Sequence, residues 1–144
     1  MHLTSHGNTI MQYSSTDAHR LLSQHFGYEQ FRTGQEEIIR SITEGHDTLV
    51  VMPTGGGKSL CYQIPALLRQ GTALIVSPLI ALMKDQVEQL QKARISASYI
   101  NSSMSPTAIK QTIQEARQGA YSLLYLAPER LESRSFVEQL AAIP

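Results

Sequence analysis

Apolar residues recur at two periods along this chain, and the switch between them marks its elements. Ala18, Leu21, Leu22 and His25 fall at helical spacing with Gly27 as the stop, which predicts a helix over 17–26. A second helix is predicted in "FRTGQEEIIRSITEG". Thr33 and Glu36 stand three apart as a capping box requires, a cap worth about 1 kcal/mol, and Gly45 ends the helix. "DTLVVM" (47–52) is a short apolar, β-branched run, the pattern of a buried strand. A glycine-rich loop follows, then a helix from Lys58 to about Arg69, expected to bend at Pro65 and to close at Gly71.

The alternation continues. "TALIVS" (72–77), "ISASYI" (95–100) and "YSLLYL" (121–126) predict strands. Between them lie a helix over 79–92, with Leu79, Leu82, Met83, Val87 and Leu90 on one face, and a helix entered by Ser105 and Pro106 and left at Gly119. A last helix is expected over roughly 130–142. Strand–helix alternation of this kind predicts an α/β fold, a parallel sheet with helices on both faces. Ligands bind such sheets at the carboxyl ends of the strands, so the polar loops 53–58, 77–78, 101–105 and 127–130 are expected along one edge. Residues 1–15 are polar and aperiodic and are expected to form a disordered tail ahead of a single domain over 16–144.

Composition narrows the function little. Hydrophobic residues make up 42% and charged residues 17%, ordinary values for a globular chain. No apolar run reaches the ~18 residues of a membrane span, and the start lacks the basic and apolar regions of a signal peptide. The formal net charge of zero excludes a uniformly basic nucleic-acid coat but leaves room for a local basic strip. A single cysteine, Cys61, allows no intrachain disulfide and fits a reducing compartment, the cytoplasm. The five histidines lack metal-ligand spacing.

The chemistry is concentrated in "VVMPTGGGKSLCYQIPAL" (50–67). Strand, Gly-Gly-Gly-Lys-Ser and helix is the context of a phosphate-binding loop, G-x-x-x-x-G-K-[ST]. Met52 stands where the first glycine of the signature belongs. That residue only has to begin the turn, which Pro53 and Thr54 can do. Gly55, Gly56 and Gly57 let the backbone approach a triphosphate closely. The helix start adds its positive end, Lys58 can reach the β- and γ-phosphates, and the Ser59 hydroxyl suits Mg2+. The bland alternative is a glycine-rich turn capped by a lysine. Cys61 and Tyr62 are expected only to pack within the helix.

Upstream, Gln35 offers the donor and acceptor that match adenine's N6 and N7 edge, and Tyr28 and Arg32 offer flat faces for a purine. Periodicity alone favours reading them as surface and helix-capping residues over adenine ligands. "FGYEQFRTGQEEII", "VVMPTGGGKSLCYQIPAL", "SPLIALMKDQV" and "LLYLAPERL" occur in this order, and together they resemble the N-terminal part of a RecQ-family DNA helicase from about Phe26 to Leu131. Thr33 stands where the family usually has proline. The resemblance implies an incomplete RecA-like P-loop NTPase lobe, ATP with Mg2+, adenine recognition by Tyr28, Arg32 and Gln35, and 3′-to-5′ unwinding in recombination and repair. It also implies backbone contacts to single-stranded or partly duplex DNA from Ser77, Pro78 and Lys84. Asn101, Ser102 and Arg130 are further phosphate candidates. Taken without the resemblance, Ser77-Pro78 starts a helix and Lys84 is solvated, and the bland alternative for Arg130 is an ion pair with Glu129 or Glu132.

Hydrolysis needs a carboxylate for magnesium and a group that positions water. The family supplies both from an Asp-Glu-Ala-His box, which this sequence lacks. Asp17, Asp47 and Asp85, its three aspartates, are misplaced for the task. The chain is therefore expected to be an N-terminal helicase fragment that binds ATP without useful turnover. A small phosphotransferase and a stand-alone, non-catalytic nucleotide-binding module are the competing readings.

Overall fold

The computed structural model describes residues 12–144, so most of the expected tail lies outside the described part. Tyr13 is half-buried, Ser14 caps the first helix through its side chain, and Ser15 is that helix's first residue, so these three are not tail. The expected single domain divides into two compact units, one ending at Arg69 and one spanning Gln70–Pro144.

The first unit is helical. Helix α1 is Ser15–Leu21, continued by a wider turn over Leu22–Phe26 and ended by Gly27 at φ 73°. Helices α2 (Gln35–Thr43) and α3 (Lys58–Leu68) complete it. Ala18, Leu21, Leu22, Ile39 and Ile64, one or more from each helix, form a shared core, with Tyr13, Phe26 and Phe31 packed at its margin. The capping box does not form. The residue before α2 is Gly34, at φ 84°, and no side chain caps the helix. Instead the Arg32 amide donates to Gln35 Oε1 at 2.8 Å, and Glu36 is turned towards α1.

The predicted strand at 47–52 is absent. Leu49 and Val51 are 94% and 91% exposed, while Val50 and Met52 are half-buried. A strand exists through hydrogen bonds to a neighbour, and among the described residues none pairs with this segment. One set of alternate side chains packs and the other faces out.

The second unit holds the sheet. Strands β1 (Ala73–Val76), β2 (Ala97–Ile100) and β3 (Leu123–Leu126) are all parallel, in the order β1-β3-β2. The central strand β3 is buried throughout, as expected for an apolar run covered on both faces. Leu124 and Leu126 join Ile100, Ile113, Ala116, Phe136 and Leu140 in one core, against helices α5 (Pro106–Arg117) and α6 (Arg134–Leu140). Helix α4 (Ile80–Lys92) buries Met83, Val87 and Leu90 and packs against β2. Leu79 and Leu82 do not share that face. They are 56% and 48% exposed, because Leu79 precedes the helix and the i, i+4, i+7 stripe through Met83 bypasses Leu82. The expected last helix is split into a tight turn at Pro128–Glu132 and α6, restarted by the Ser133 cap.

Ser105 enters α5 as its cap, its hydroxyl accepting from the Ala108 amide at 3.2 Å, with Pro106 first in the helix. Ser105→Ala is expected to lower the stability of this unit by about 1 kcal/mol, measured as a shift in the urea or thermal unfolding midpoint.

Candidate functional site

Pro53 opens a tight turn in which the Gly56 amide donates to the Pro53 carbonyl at 3.0 Å. Gly55 and Gly57 take φ 77° and 81°, values open to glycine at little cost. Gly57 is also the residue from which α3 springs, and no side chain caps that helix. The first amides of α3 therefore lie at the loop with no side-chain acceptor, the arrangement that receives a phosphate. Lys58 is exposed and Ser59 half-buried at this opening, and Thr54 and Gly55 are exposed on the loop itself.

The loop is braced from beneath and from the side. The Cys61 thiol lies 3.9 Å from Met52 Sδ and 3.8 Å from the Gly57 carbonyl. Met52, in place of the signature's first glycine, thus packs under the turn. Burial pushes the Cys61 thiol up from its ordinary value, so it stays protonated and inert. From the side, Arg32 Nη1 donates to the Gly55 carbonyl at 2.6 Å, and Gln35 Nε2 donates to the Gly57 carbonyl at 3.0 Å. A methyl group built on Gly57 would meet Gln35 Nε2 at 2.3 Å.

Two of the three upstream candidates, Arg32 and Gln35, are therefore brought to the phosphate loop. Gln35 is 1% exposed, and both ends of its carboxamide are engaged by protein backbone. Tyr28 is 55% exposed and stands in none of these contacts. Sequence reading missed what lies behind Gln35. Glu36 Oε1 accepts from Tyr13 Oη at 2.9 Å and from Ser15 Oγ at 2.5 Å. The Ser15 and Tyr13 hydrogen bonds hold the Glu36 carboxyl below its usual range, and burial, reinforced by Glu36, pushes the Tyr13 phenol up to about 12. The signal was present just ahead of the first apolar period, where Tyr13, Ser14 and Ser15 stand.

The other candidates lie in the second unit. Strands β1, β2 and β3 end in register at Val76, Ile100 and Leu126, so the loops that follow them share one end of the sheet. Ser77 Oγ accepts from the Leu79 amide at 3.2 Å, and Pro78 is exposed. Lys84 is exposed on α4, 3.8 Å from Glu88. Asn101 is 3% exposed, its Oδ1 accepting from the amide and hydroxyl of Ser103, whereas Ser102 is exposed. Arg130 pairs with neither Glu129 nor Glu132 among the described ion pairs. Its Nη2 donates to the Asn101 carbonyl at 3.2 Å, and its Nε is buried without a partner. It links the loops after β2 and β3. The loop 53–58 belongs to the first unit, so its expected place along the sheet edge is not given by strand pairing.

Residues 32–143 match the model of the DEAD/DEAH box helicases. This chain belongs to that family. Within it the chain is of the RecQ type. It is similar to the ATP-dependent DNA helicase RecQ of Bacillus subtilis, 53% identical over 127 residues that cover 88% of this chain and 22% of the relative. RecQ of Haemophilus influenzae is 49% identical, covering 84% of this chain and 20% of the relative. The chain thus spans about a fifth of the length of these helicases. A solved structure of the DUF1998 helicase MrfA bound to DNA superposes with a TM-score of 0.68 at 23% identity, over 88% of this chain and 19% of that one. That likeness shows the fold, a RecA-like helicase lobe with an open parallel sheet.

Among the described residues no group of three or more His, Cys, Asp or Glu side chains is placed to hold a metal ion. No described helix is long and apolar enough to cross a membrane.

Proposed function

We propose that this chain is the ATP-binding portion of a 3′-to-5′ DNA helicase that serves recombination and repair. The observation that carries the reading is the phosphate loop, with left-handed glycines at 55 and 57 and Lys58 and Ser59 at the start of α3. The amides of Gly55–Ser59 would surround the phosphate tail, with the Lys58 ammonium on its outer oxygens. The Ser59 hydroxyl would contribute one ligand to Mg2+, which when bound neutralises charge on the β- and γ-phosphates. Arg32 and Gln35, already against the loop, would exchange backbone contacts for the purine edge, with Tyr28 closing over the ring.

Single-stranded or partly duplex DNA is the proposed partner, held through its backbone by Ser77, Pro78, Lys84, Ser102 and the Asn101–Arg130 pair of loops. Exposed Lys84 and Ser102 suit weak, sequence-blind contacts, which a motor must make and release. The cytoplasm, close to the nucleoid in a bacterium, is the proposed location.

Turnover is a separate matter. Asp17 is bonded to Arg20, Asp85 lies within α4 of the second unit, and Asp47 precedes the phosphate loop outside regular structure. None is assigned to magnesium. The purified chain is expected to bind ATP by calorimetry and to release phosphate at background rate, with or without single-stranded DNA. Absence of ATP binding overturns the nucleotide reading. DNA-stimulated phosphate release overturns the binding-only assignment. ATP binding without any DNA binding favours the stand-alone nucleotide module.

A further inference from the structure

The first turn of α2 carries the base-reading candidate Gln35, yet no side chain caps it. Something else must fix its rotation. The adjacent residue, Glu36, is held by two hydroxyls from more than twenty positions upstream, Tyr13 at 2.9 Å and Ser15 at 2.5 Å. One turn further on, Arg40 lies over the Tyr13 ring at 5.2 Å from its centroid. Positions 36 and 40 share a helix face, so Tyr13 is gripped by α2 at both its hydroxyl and its ring. His19 adds a second tie. Its ring meets Phe31 edge-on at 4.9 Å, and its Nδ1 lies 4.0 Å from Glu36 Oε1.

We propose that the Tyr13–Ser15–Glu36 cluster is a positioning device for base recognition, setting the rotation of α2 so that Gln35 faces the phosphate loop. This rests on the nucleotide reading above. Gln35 and Glu36 are successive helical residues, so a rotation that displaces one displaces the other. Glu36 touches neither loop nor base and acts through Gln35, whose carboxamide spans the 2.8 Å contact to Arg32 and the 3.0 Å contact to Gly57. When Gln35 shifts, the phosphate loop loses its brace at Gly57 but keeps its own glycine turn and the Arg32 contact to Gly55. Loss of the cluster should therefore weaken recognition of the base more than recognition of the phosphates.

The test is competition by ATP and by inorganic tripolyphosphate against a fluorescent ATP analogue, in magnesium buffer, on the full 144-residue chain. Wild type is compared with Glu36→Ala, Glu36→Gln and Tyr13→Phe. Glu36→Ala is expected to lose about 5-fold in ATP affinity with a clearly smaller loss for tripolyphosphate. Glu36→Gln, whose amide oxygen still accepts from both hydroxyls, should recover most of that loss. Tyr13→Phe keeps the ring beneath Arg40 and removes only the hydroxyl, so it carries the test if Glu36→Ala fails to fold. A role confined to stability predicts lower melting temperatures with an unchanged ATP-to-tripolyphosphate ratio, and that result overturns the proposal. Wild type that binds ATP no better than tripolyphosphate overturns base recognition itself, and this inference with it.

Discussion

Lys58→Ala is expected to weaken ATP binding by roughly 30- to 150-fold, the effect of removing a charge-assisted hydrogen bond of about 2–3 kcal/mol. Lys58 is exposed at the first position of α3 and is the one cation placed in the phosphate loop itself. Arg32 reaches the same loop but is bonded to the Gly55 carbonyl, so its charge is already engaged. Deleting the ammonium leaves the amides of Gly55–Ser59 to hold a highly charged tail with no ammonium beside it. The helix end contributes a fraction of a charge and cannot make up the difference. Calorimetric titration of the variant checks this, with circular dichroism to verify that the helices persist. Near-wild-type affinity would remove the loop from the nucleotide site, and the functional reading with it.

Gly57→Ala is expected to have a comparable effect by a different route. Its φ of 81° costs an L-residue roughly 1–2 kcal/mol. In addition, the new methyl would sit 2.3 Å from Gln35 Nε2, inside any normal contact distance. Either the loop or Gln35 must move, and both are proposed to hold ATP. Nucleotide affinity should therefore fall more than 10-fold, in step with the combined strain and clash. The double variant Gly57→Ala/Gln35→Ala separates the causes. If the clash matters, the two changes are non-additive, and the glycine substitution costs less once the amide is gone. Strict additivity would show that Gln35 and Gly57 do not act together.

Much of this molecule is legible in its sequence because the determinants are local. The phosphate loop depends on consecutive residues whose backbone freedom and charge can be read directly from Gly55 to Ser59. The Ser105-Pro106 entry to α5 is equally self-contained, as are the apolar runs of β1 and β3, bounded by Gly71 and Gly119. The misreadings share a physical cause, which is distance along the chain. Residues 47–52 have strand composition, but a strand is made by its neighbour, and Leu49 and Val51 find none among the described residues. Thr33 and Glu36 have capping-box spacing, but Gly34 takes the cap position, and Glu36 instead accepts from the hydroxyls of Tyr13, just before α1, and Ser15, its first residue. For Arg130 the bland alternative to a phosphate contact was an ion pair with an adjacent glutamate, whereas the guanidinium reaches back to the Asn101 carbonyl on the preceding loop. A base-binding role for Arg32 and Gln35 is implied by the family resemblance, not by their own pattern. That both also brace the phosphate loop follows only from how α2 packs on α3.

The strand order β1-β3-β2 bears on how the molecule is made. The two strands that leave the ribosome first are separated by the one that leaves last. They hydrogen-bond to β3 and not to each other. Among the described strands no native ladder can form until Leu123–Leu126 has emerged, and β3 then enters between the other two. Before that moment two apolar segments wait with open edges, the interval in which a nascent chain of this design most needs shielding from its neighbours.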